Sequence, residues 1–149
     1  MRVLLQRVRE ASVTVDGETV GEIGRGFLLF TGIGHGDTQV EINWMARKIA
    51  GLRVFEDEAG KMNLPLSAVG GACLVVSQFT LYGECRKGFR PGFTGAAGPE
   101  AGRAGVADFV AALRAEGVRV ETGQFQAHMD VRLWNDGPVT LWLSREAGE

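Results

Sequence analysis

The chain has 149 residues, 45% apolar and 23% charged, the composition of one ordinary folded domain (1–149) large enough to bury its own core. With 16 basic and 18 acidic side chains the net charge is −2, which argues against wrapping a long nucleic acid such as duplex DNA and allows only a small ionic footprint. No apolar stretch reaches the roughly 20 residues of a membrane span, Met1-Arg2-Val3-Leu4-Leu5-Gln6-Arg7 has no leader-like run, and Cys73 and Cys85 make neither a disulfide framework nor a zinc spacing, so a cytoplasmic protein with free thiols is expected.

Glycine is the outlier at 22 residues and falls at turn positions, which suggests many short strands. Arg2 to Val8 and Ala11 to Val15 read as two strands, the second alternating through Ser12-Val13-Thr14-Val15. Asp16-Gly17 is a hairpin signal, followed by strands at Glu18 to Ile23 and Gly26 to Phe30. Gly26-Phe27-Leu28-Leu29-Phe30 lacks alternation and is expected to be buried on both faces. Thr38-Gln39-Val40-Glu41 fits a capping box, and Ile42, Met45, Ala46 and Ile49 continue at helical spacing. Leu52 to Phe55 reads as a short strand, and β-branched Ala72 to Phe79 as a central one. Tyr82 to Gly98 is polar, Gly-rich and too long for a simple connector. A second helix runs from Pro99 to Gly117 with a core face of Val106, Phe109, Val110 and Leu113. Strands at Val118 to Glu121, Met129 to Trp134 and Val139 to Leu143 close the chain. The expected fold is α+β, a single domain with a mostly antiparallel, barrel-like sheet system and two helices.

Chemistry is sparse. Thr31-Gly32-Ile33-Gly34-His35-Gly36 lies where a phosphate loop would sit, yet Asp37 stands at the third glycine of the dinucleotide spacing and the Lys-Ser/Thr of a nucleotide loop is missing. A Gly-rich turn is the plainer reading. His35 and His128 are the only histidines and have no partner at i+3 or i+4, so neither a metal site nor a His-based triad is expected, and no cofactor. Cys85, between Glu84 and Arg86-Lys87, has cations able to activate a thiol but no histidine close in sequence.

Two segments are less ordinary. Val75-Val76-Ser77-Gln78-Phe79-Thr80-Leu81 ends a buried strand in hydroxyls, an amide and backbone N–H groups. That rim reads either as a solvated strand end or as a cradle for a carbonyl oxygen gaining charge. Asn135-Asp136-Gly137-Pro138-Val139-Thr140 looks like a hairpin turn, but its proline cannot donate to a ladder and its Gly-Pro bond permits a cis peptide. Arg86, Lys87 and Arg90 in the long loop are interleaved with Phe89 and Phe93, which suits either a solvated loop or a grip on phosphates and an unstacked base.

In order and spacing, the two segments resemble the signature pair of the D-aminoacyl-tRNA deacylase family, Ser-Gln-Phe-Thr-Leu and Asn-x-Gly-Pro-Val/Phe-Thr. Gln6-Arg7-Val8 with Ala11-Ser12-Val13, Gly60-Lys61-Met62-Asn63, and Arg90-Pro91 with Phe93 extend the likeness from Met1 to about Leu143. The resemblance implies that family's fold, a symmetric homodimer, and hydrolysis of the ester of D-aminoacyl-tRNA, a chiral proofreading activity that also takes mischarged glycyl-tRNA. It implies a pocket wall of Ser77, Gln78, Phe79 and Thr80. It also implies a cis Gly137-Pro138 reaching the partner's pocket, Arg7 holding that segment, and Met129 nearby. Arg86, Lys87, Phe89 and Arg90 would then meet the tRNA 3′ end. The sequence departs from the family at Gly92, where Ser is usual, at Trp134, where a smaller apolar residue is usual, and in the tail Ser144 to Glu149.

An aminoacyl ester is already activated, so positioning water and stabilising an oxyanion with amides near Phe79 and Thr80 would suffice. Two routes remain for the proton: Thr80 itself, or the 2′-hydroxyl of the terminal ribose, which the resemblance favours. The competing expectation is a non-catalytic module that binds the tRNA acceptor end.

Overall fold

The computed structural model describes residues 1–149. The elements in order are β1 (Arg2–Val15), β2 (Glu18–Ile23), β3 (Gly26–Gly32), α1 (Gln39–Gly51), β4 (Phe55–Glu56), β5 (Met62–Leu64), β6 (Ala72–Ser77), α2 (Pro99–Ala115), β7 (Arg119–Thr122) and β8 (Asp130–Ser144), with 3-10 turns at Leu66–Val69 and Phe79–Tyr82. No helix is long and apolar enough to cross a membrane.

β1 organises the sheet. Along one edge it pairs antiparallel with β3 over Arg2 to Val8 and with β2 over Ala11 to Val15. Its other edge pairs with β8 over nearly its whole length. β6 then lies parallel to β3, and β7 parallel to β6. The order β2-β1-β3-β6-β7 curls until β2 meets β7: a Cβ on Gly21 would lie 2.2 Å from the Thr122 carbonyl oxygen. Within this sheet the antiparallel pairs are those of β1 with its partners, and the sheet as a whole is a mixed, nearly closed barrel.

Curling makes two cores. Val3, Leu5, Phe27, Leu29, Cys73 and Val75 face the helices, where Ile42, Met45, Ile49, Phe109 and Leu113 cover them. Val8, Val13, Ile23, Leu28, Leu74 and Val76 fill the barrel interior. β3 and β6 contribute to both, which is why their runs are apolar without alternation. Burying each such side chain is worth about 1.5–3 kcal/mol. α1 starts as its sequence demands: Thr38 Oγ1 accepts from the Val40 amide at 3.2 Å, and Glu41 Oε2 accepts from the Thr38 amide at 2.7 Å.

Four expectations need correction. Arg2 to Val15 is one strand, and Met129 to Trp134 with Val139 to Leu143 also form one, because each 14- to 15-residue strand serves as the other's template. No hairpin occurs at Asn135-Asp136-Gly137-Pro138; the β1–β8 register shifts there and pairing resumes. Leu52 to Phe55 is not a strand, since Leu52 caps α1 and the short strand is Phe55–Glu56, paired with Met62–Leu64. β6 stops at Ser77, and Phe79 turns into a 3-10 helix rather than extending the sheet.

Candidate active site

The carboxyl ends of parallel β3 and β6 lie side by side, with Thr31 opposite Ser77. Beyond Ser77 the chain turns: the Gln78 amide donates to the Thr31 carbonyl at 2.7 Å, and Phe79–Tyr82 winds into its 3-10 turn. The first amides of such a turn, here Phe79 and Thr80, have no acceptor within the turn itself. Gln78 Nε2 donates to the Thr80 hydroxyl, and the half-exposed Phe79 ring meets Phe93 edge-on at 5.1 Å between centroids.

These residues form one wall of a cavity of about 650 Å³. Ser77, Gln78 and Phe79 line it, and so does Met129. Thr80 does not line it and is exposed. The remaining walls are mostly apolar, with the first turns of α2 at Pro99, Gly102 and Val106 and the connector from β7 to β8 at Phe125, but that connector also brings Gln126 and His128. That connector is braced from outside, where the Arg103 guanidinium stacks 4.7 Å from the Phe125 centroid and donates to Gln126 Oε1 at 3.4 Å. Gly123 lets Met129 pack inward, since a Cβ there would lie 2.7 Å from the methionine sulfur.

The only ionisable side chain in the lining is His128, which is itself exposed. No carboxylate, amine or thiol faces the space. Cys85 lies exposed in the loop beyond, and burial pushes the Cys73 thiol up to about 12, leaving it inert. A site so furnished can bind, orient and donate hydrogen bonds, and its only hydroxyls are those of Ser77 and the buried Thr31, with no carboxylate beside them in the lining. Phe125, His128 and the start of α2 were missed because the β7–β8 connector has no periodicity and α2 reads simply as a core helix.

A second group gathers on β1 and β8. Arg7 is buried, 5% exposed; its Nε donates to the Asp136 carbonyl at 2.8 Å and its Nη1 to the Val54 carbonyl. The Asp136 carboxylate lies 3.7 Å from both Arg7 Nε and Arg9 Nε. Gly137 has φ +148 and the Gly137–Pro138 peptide is cis. Both residues are exposed, and neither lines the cavity of its own chain. The Asn135 side chain bridges the irregularity, accepting from the Val139 amide at 2.8 Å and donating to the Thr140 hydroxyl at 3.0 Å. The asparagine of the motif thus replaces ladder hydrogen bonds that the proline segment interrupts.

The long loop is a narrow projection closed at its neck, where Glu84 and Gly92 exchange hydrogen bonds at 2.7 and 3.0 Å. Arg86, Lys87, Phe89 and Arg90 lie exposed at its tip. Arg86 is already paired with Glu84 at 2.6 Å, and that hydrogen bond holds the Glu84 carboxyl down at about 2, so Lys87 and Arg90 carry the tip's free charge. The Gly-rich turn at Gly32 to Gly36 has its own occupant: the Asp37 carboxylate accepts from the Gly34 amide at 2.7 Å and pairs with the Met1 ammonium at 2.8 Å. The carboxylate that broke the dinucleotide spacing thus sits against the amide a phosphate would use.

The family model described as D-Tyr-tRNA(Tyr) deacylase matches residues 4–144. The chain is 63% identical over 143 residues to the D-aminoacyl-tRNA deacylase of Thermomicrobium roseum, covering 96% of this chain and 93% of that one. It is 57% identical to the D-aminoacyl-tRNA deacylase of Thermotoga petrophila, covering 96% of each. Among solved structures it is similar to the c-Myc DNA Unwinding Element Binding Protein, with TM-score 0.91, 43% identity, and 99% and 100% of the two chains covered. A probable eukaryotic D-amino acid tRNA deacylase shares the fold, with TM-score 0.84, 19% identity, and 95% and 97% covered.

Proposed function

Because this chain belongs to the D-Tyr-tRNA(Tyr) deacylase family, we infer that the cavity at the ends of β3 and β6 is where it hydrolyses the ester of D-aminoacyl-tRNA. The observation that carries this is the cavity's furniture: a hydrogen-bonding rim at Ser77, Gln78 and Phe79 in a mostly apolar cavity, with no carboxylate, amine or thiol. An activated ester needs no strong nucleophile. Water attacks the carbonyl carbon, amides at Phe79 and Thr80 hold the developing oxyanion, and the bond to the ribose 3′-oxygen breaks. The leaving oxygen takes the proton that water gives up, so the products are D-amino acid and free tRNA. The 2′-hydroxyl of the terminal ribose organises that water. The Thr80 hydroxyl is exposed and accepts from Gln78 Nε2, which supports this route over attack by that hydroxyl.

Gly137 and Pro138 select configuration from the partner of a two-fold homodimer. Their exposure, and their absence from their own chain's cavity, favour a site completed across an interface. β8 is bonded only along the edge facing β1, and it carries exposed Leu133, Trp134 and Trp142, features that suit burial against a second copy. Arg7 holds the selecting segment and Met129 bounds the pocket. Lys87, Arg90 and Phe89, with Arg86 braced by Glu84, meet the backbone and bases of the acceptor end. With 16 basic against 18 acidic side chains the grip is local, in keeping with a cytoplasmic tRNA enzyme and no DNA partner.

The deciding experiment is incubation with D-tyrosyl-tRNA and L-tyrosyl-tRNA. Loss of the D-ester alone is expected, whereas tight binding without turnover would identify an acceptor-end binding module instead.

A further inference from the structure

Tyr82 closes the 3-10 turn that begins at Phe79, and its ring points into the protein, 7% exposed. Glycines make its seat. A Cβ on Gly34 would lie 2.4 Å from the phenol oxygen and 2.7 Å from Cζ, and one on Gly32 or Gly95 would lie 3.3 Å from ring carbons. Arg2 completes the enclosure: its guanidinium stacks 4.2 Å from the ring centroid, while Nη1 donates to the Leu81 carbonyl at 3.1 Å. The phenol oxygen is buried without a hydrogen-bond partner, and burial, reinforced by Asp37, raises its pKa and keeps it neutral. An orphan hydroxyl is a cost to the fold, so the ring is what the seat is built for.

The same turn is the cavity wall. Its entrance is tied to β3, where Gln78 donates to Thr31 and Gly32 leaves room for the Gln78 carbonyl 3.0 Å from where a Cβ would stand. Its exit is tied by the Gly83 amide to the Thr80 carbonyl at 2.9 Å. Between these ties, Tyr82 is the anchoring side chain that reaches back under β3.

We propose that Tyr82 is a positioning residue for the hydrolysis: its ring, wedged among Gly32, Gly34 and Gly95 and clamped by Arg2, fixes the Gln78–Thr80 turn against the bound ester. This rests on the reading that the turn acts on the ester. Nothing in it requires Tyr82 to touch substrate, so its effect falls on kcat and not on binding.

The test is kcat and KM for D-tyrosyl-tRNA in three variants, with melting temperature measured on each. A displacement of about 1 Å costs about a hundredfold in rate, so Tyr82→Ala is expected to lose kcat by about that factor with KM within about threefold. Tyr82→Phe keeps the ring and sheds the orphan hydroxyl; it is expected to hold kcat within about twofold and to melt no lower than the unaltered chain. Gly34→Ala presses on the phenol, reproduces the kcat loss, and decides the matter if Tyr82→Ala does not fold. Unchanged kcat in a folded Tyr82→Ala or in Gly34→Ala, a loss carried by KM, or a Tyr82→Phe as slow as the alanine variant overturns the proposal. Phe79→Pro, which removes an amide of the turn itself, separates the two levels. Unchanged kcat there would mean that the turn does not act on the ester, whatever Tyr82 does.

Discussion

The Asp136 carbonyl accepts a hydrogen bond from Arg7 Nε at 2.8 Å, which fastens the Gly137-Pro138 segment of β8 to the middle of β1. The other arm of the guanidinium reaches the Val54 carbonyl, so one buried side chain serves two backbone acceptors from different parts of the chain. A lysine keeps the charge but not the planar fork. Arg7→Lys is therefore expected to lose about 2–3 kcal/mol of stability, the worth of one or two hydrogen bonds to a charged donor. Chemical denaturation reads the stability and the D-to-L rate ratio reads the segment. An unchanged midpoint with an unchanged ratio would rule out this role.

The proton route is tested by removing each candidate in turn. Thr80→Ala is expected to fold and to lose no more than about tenfold in rate, well short of the hundredfold or more that follows loss of an oxyanion donor. A substrate ending in 2′-deoxyadenosine should be hydrolysed far more slowly than the ribose form. A dead Thr80→Ala beside a normally processed deoxy substrate would reverse the assignment.

Configuration is expected to be read by main chain. Gly137 at φ +148 has no Cβ, so its backbone can approach a substrate Cα closely, and an L side chain would meet the same atoms. D-aminoacyl-tRNA should be cleaved regardless of its side chain, L-aminoacyl-tRNA spared, and glycyl-tRNA, which has no Cβ to exclude, cleaved as well. Gly137→Ala places a methyl group 2.7 Å from the Val139 amide nitrogen and 2.8 Å from its Cγ2, and should depress turnover of the D-ester. L-aminoacyl-tRNA cleaved as fast as D would defeat the reading.

Assembly gives an independent check. If the partner supplies Gly137 and Pro138, activity follows the dimer, and sedimentation at assay concentrations should find no active monomer. Leu133→Glu, on the exposed face of β8, should weaken the dimer and the activity together. Full activity in a monomeric preparation would contradict a shared site.

Acid stability follows from the cap of α1. The Thr38 amide, then its hydroxyl, hold the Glu41 carboxyl below its ordinary 4.5, and the Lys61 amide does the same for Asp57. A carboxyl depressed on folding stabilises the native state above its unfolded value and loses that contribution as pH falls through the folded one. Thr38→Ala should cost about 1 kcal/mol near neutral pH. That gap should narrow as pH falls from 4.5 through the lower folded value, because Glu41 takes up its proton over that range. Equal gaps at about pH 7 and about pH 3 would show that the ionised carboxylate is not involved.

Much of this is legible in the sequence. The capping box at Thr38 and Glu41, the turn at Asp16-Gly17 and the doubly buried β3 depend on neighbours in sequence, where hydrogen-bond geometry and apolar spacing act directly. Asn135 was misread for the converse reason. An Asn-Asp-Gly-Pro string has the local chemistry of a hairpin, and only a β1 long enough to pair on both sides of it makes it an irregularity within one strand. Gly32 and Gly34 read in sequence as a Gly-rich turn, and only the fold shows that they also provide space for the Tyr82 ring.

The single domain, the two helices, the apolar strands and the motifs at Ser77 to Thr80 and Asn135 to Thr140 are all readable from the chain alone. Each is written in periodicity or in a contiguous string of side chains. Tertiary structure decided what those motifs face. It joined the ends of β3 and β6 to Phe125, His128 and the first turns of α2, set Thr80 outside the lining, and left Gly137 and Pro138 exposed away from their own cavity. None of that is encoded locally, because a parallel pair of strands, a curling sheet and a distant connector meet only when two cores close at once.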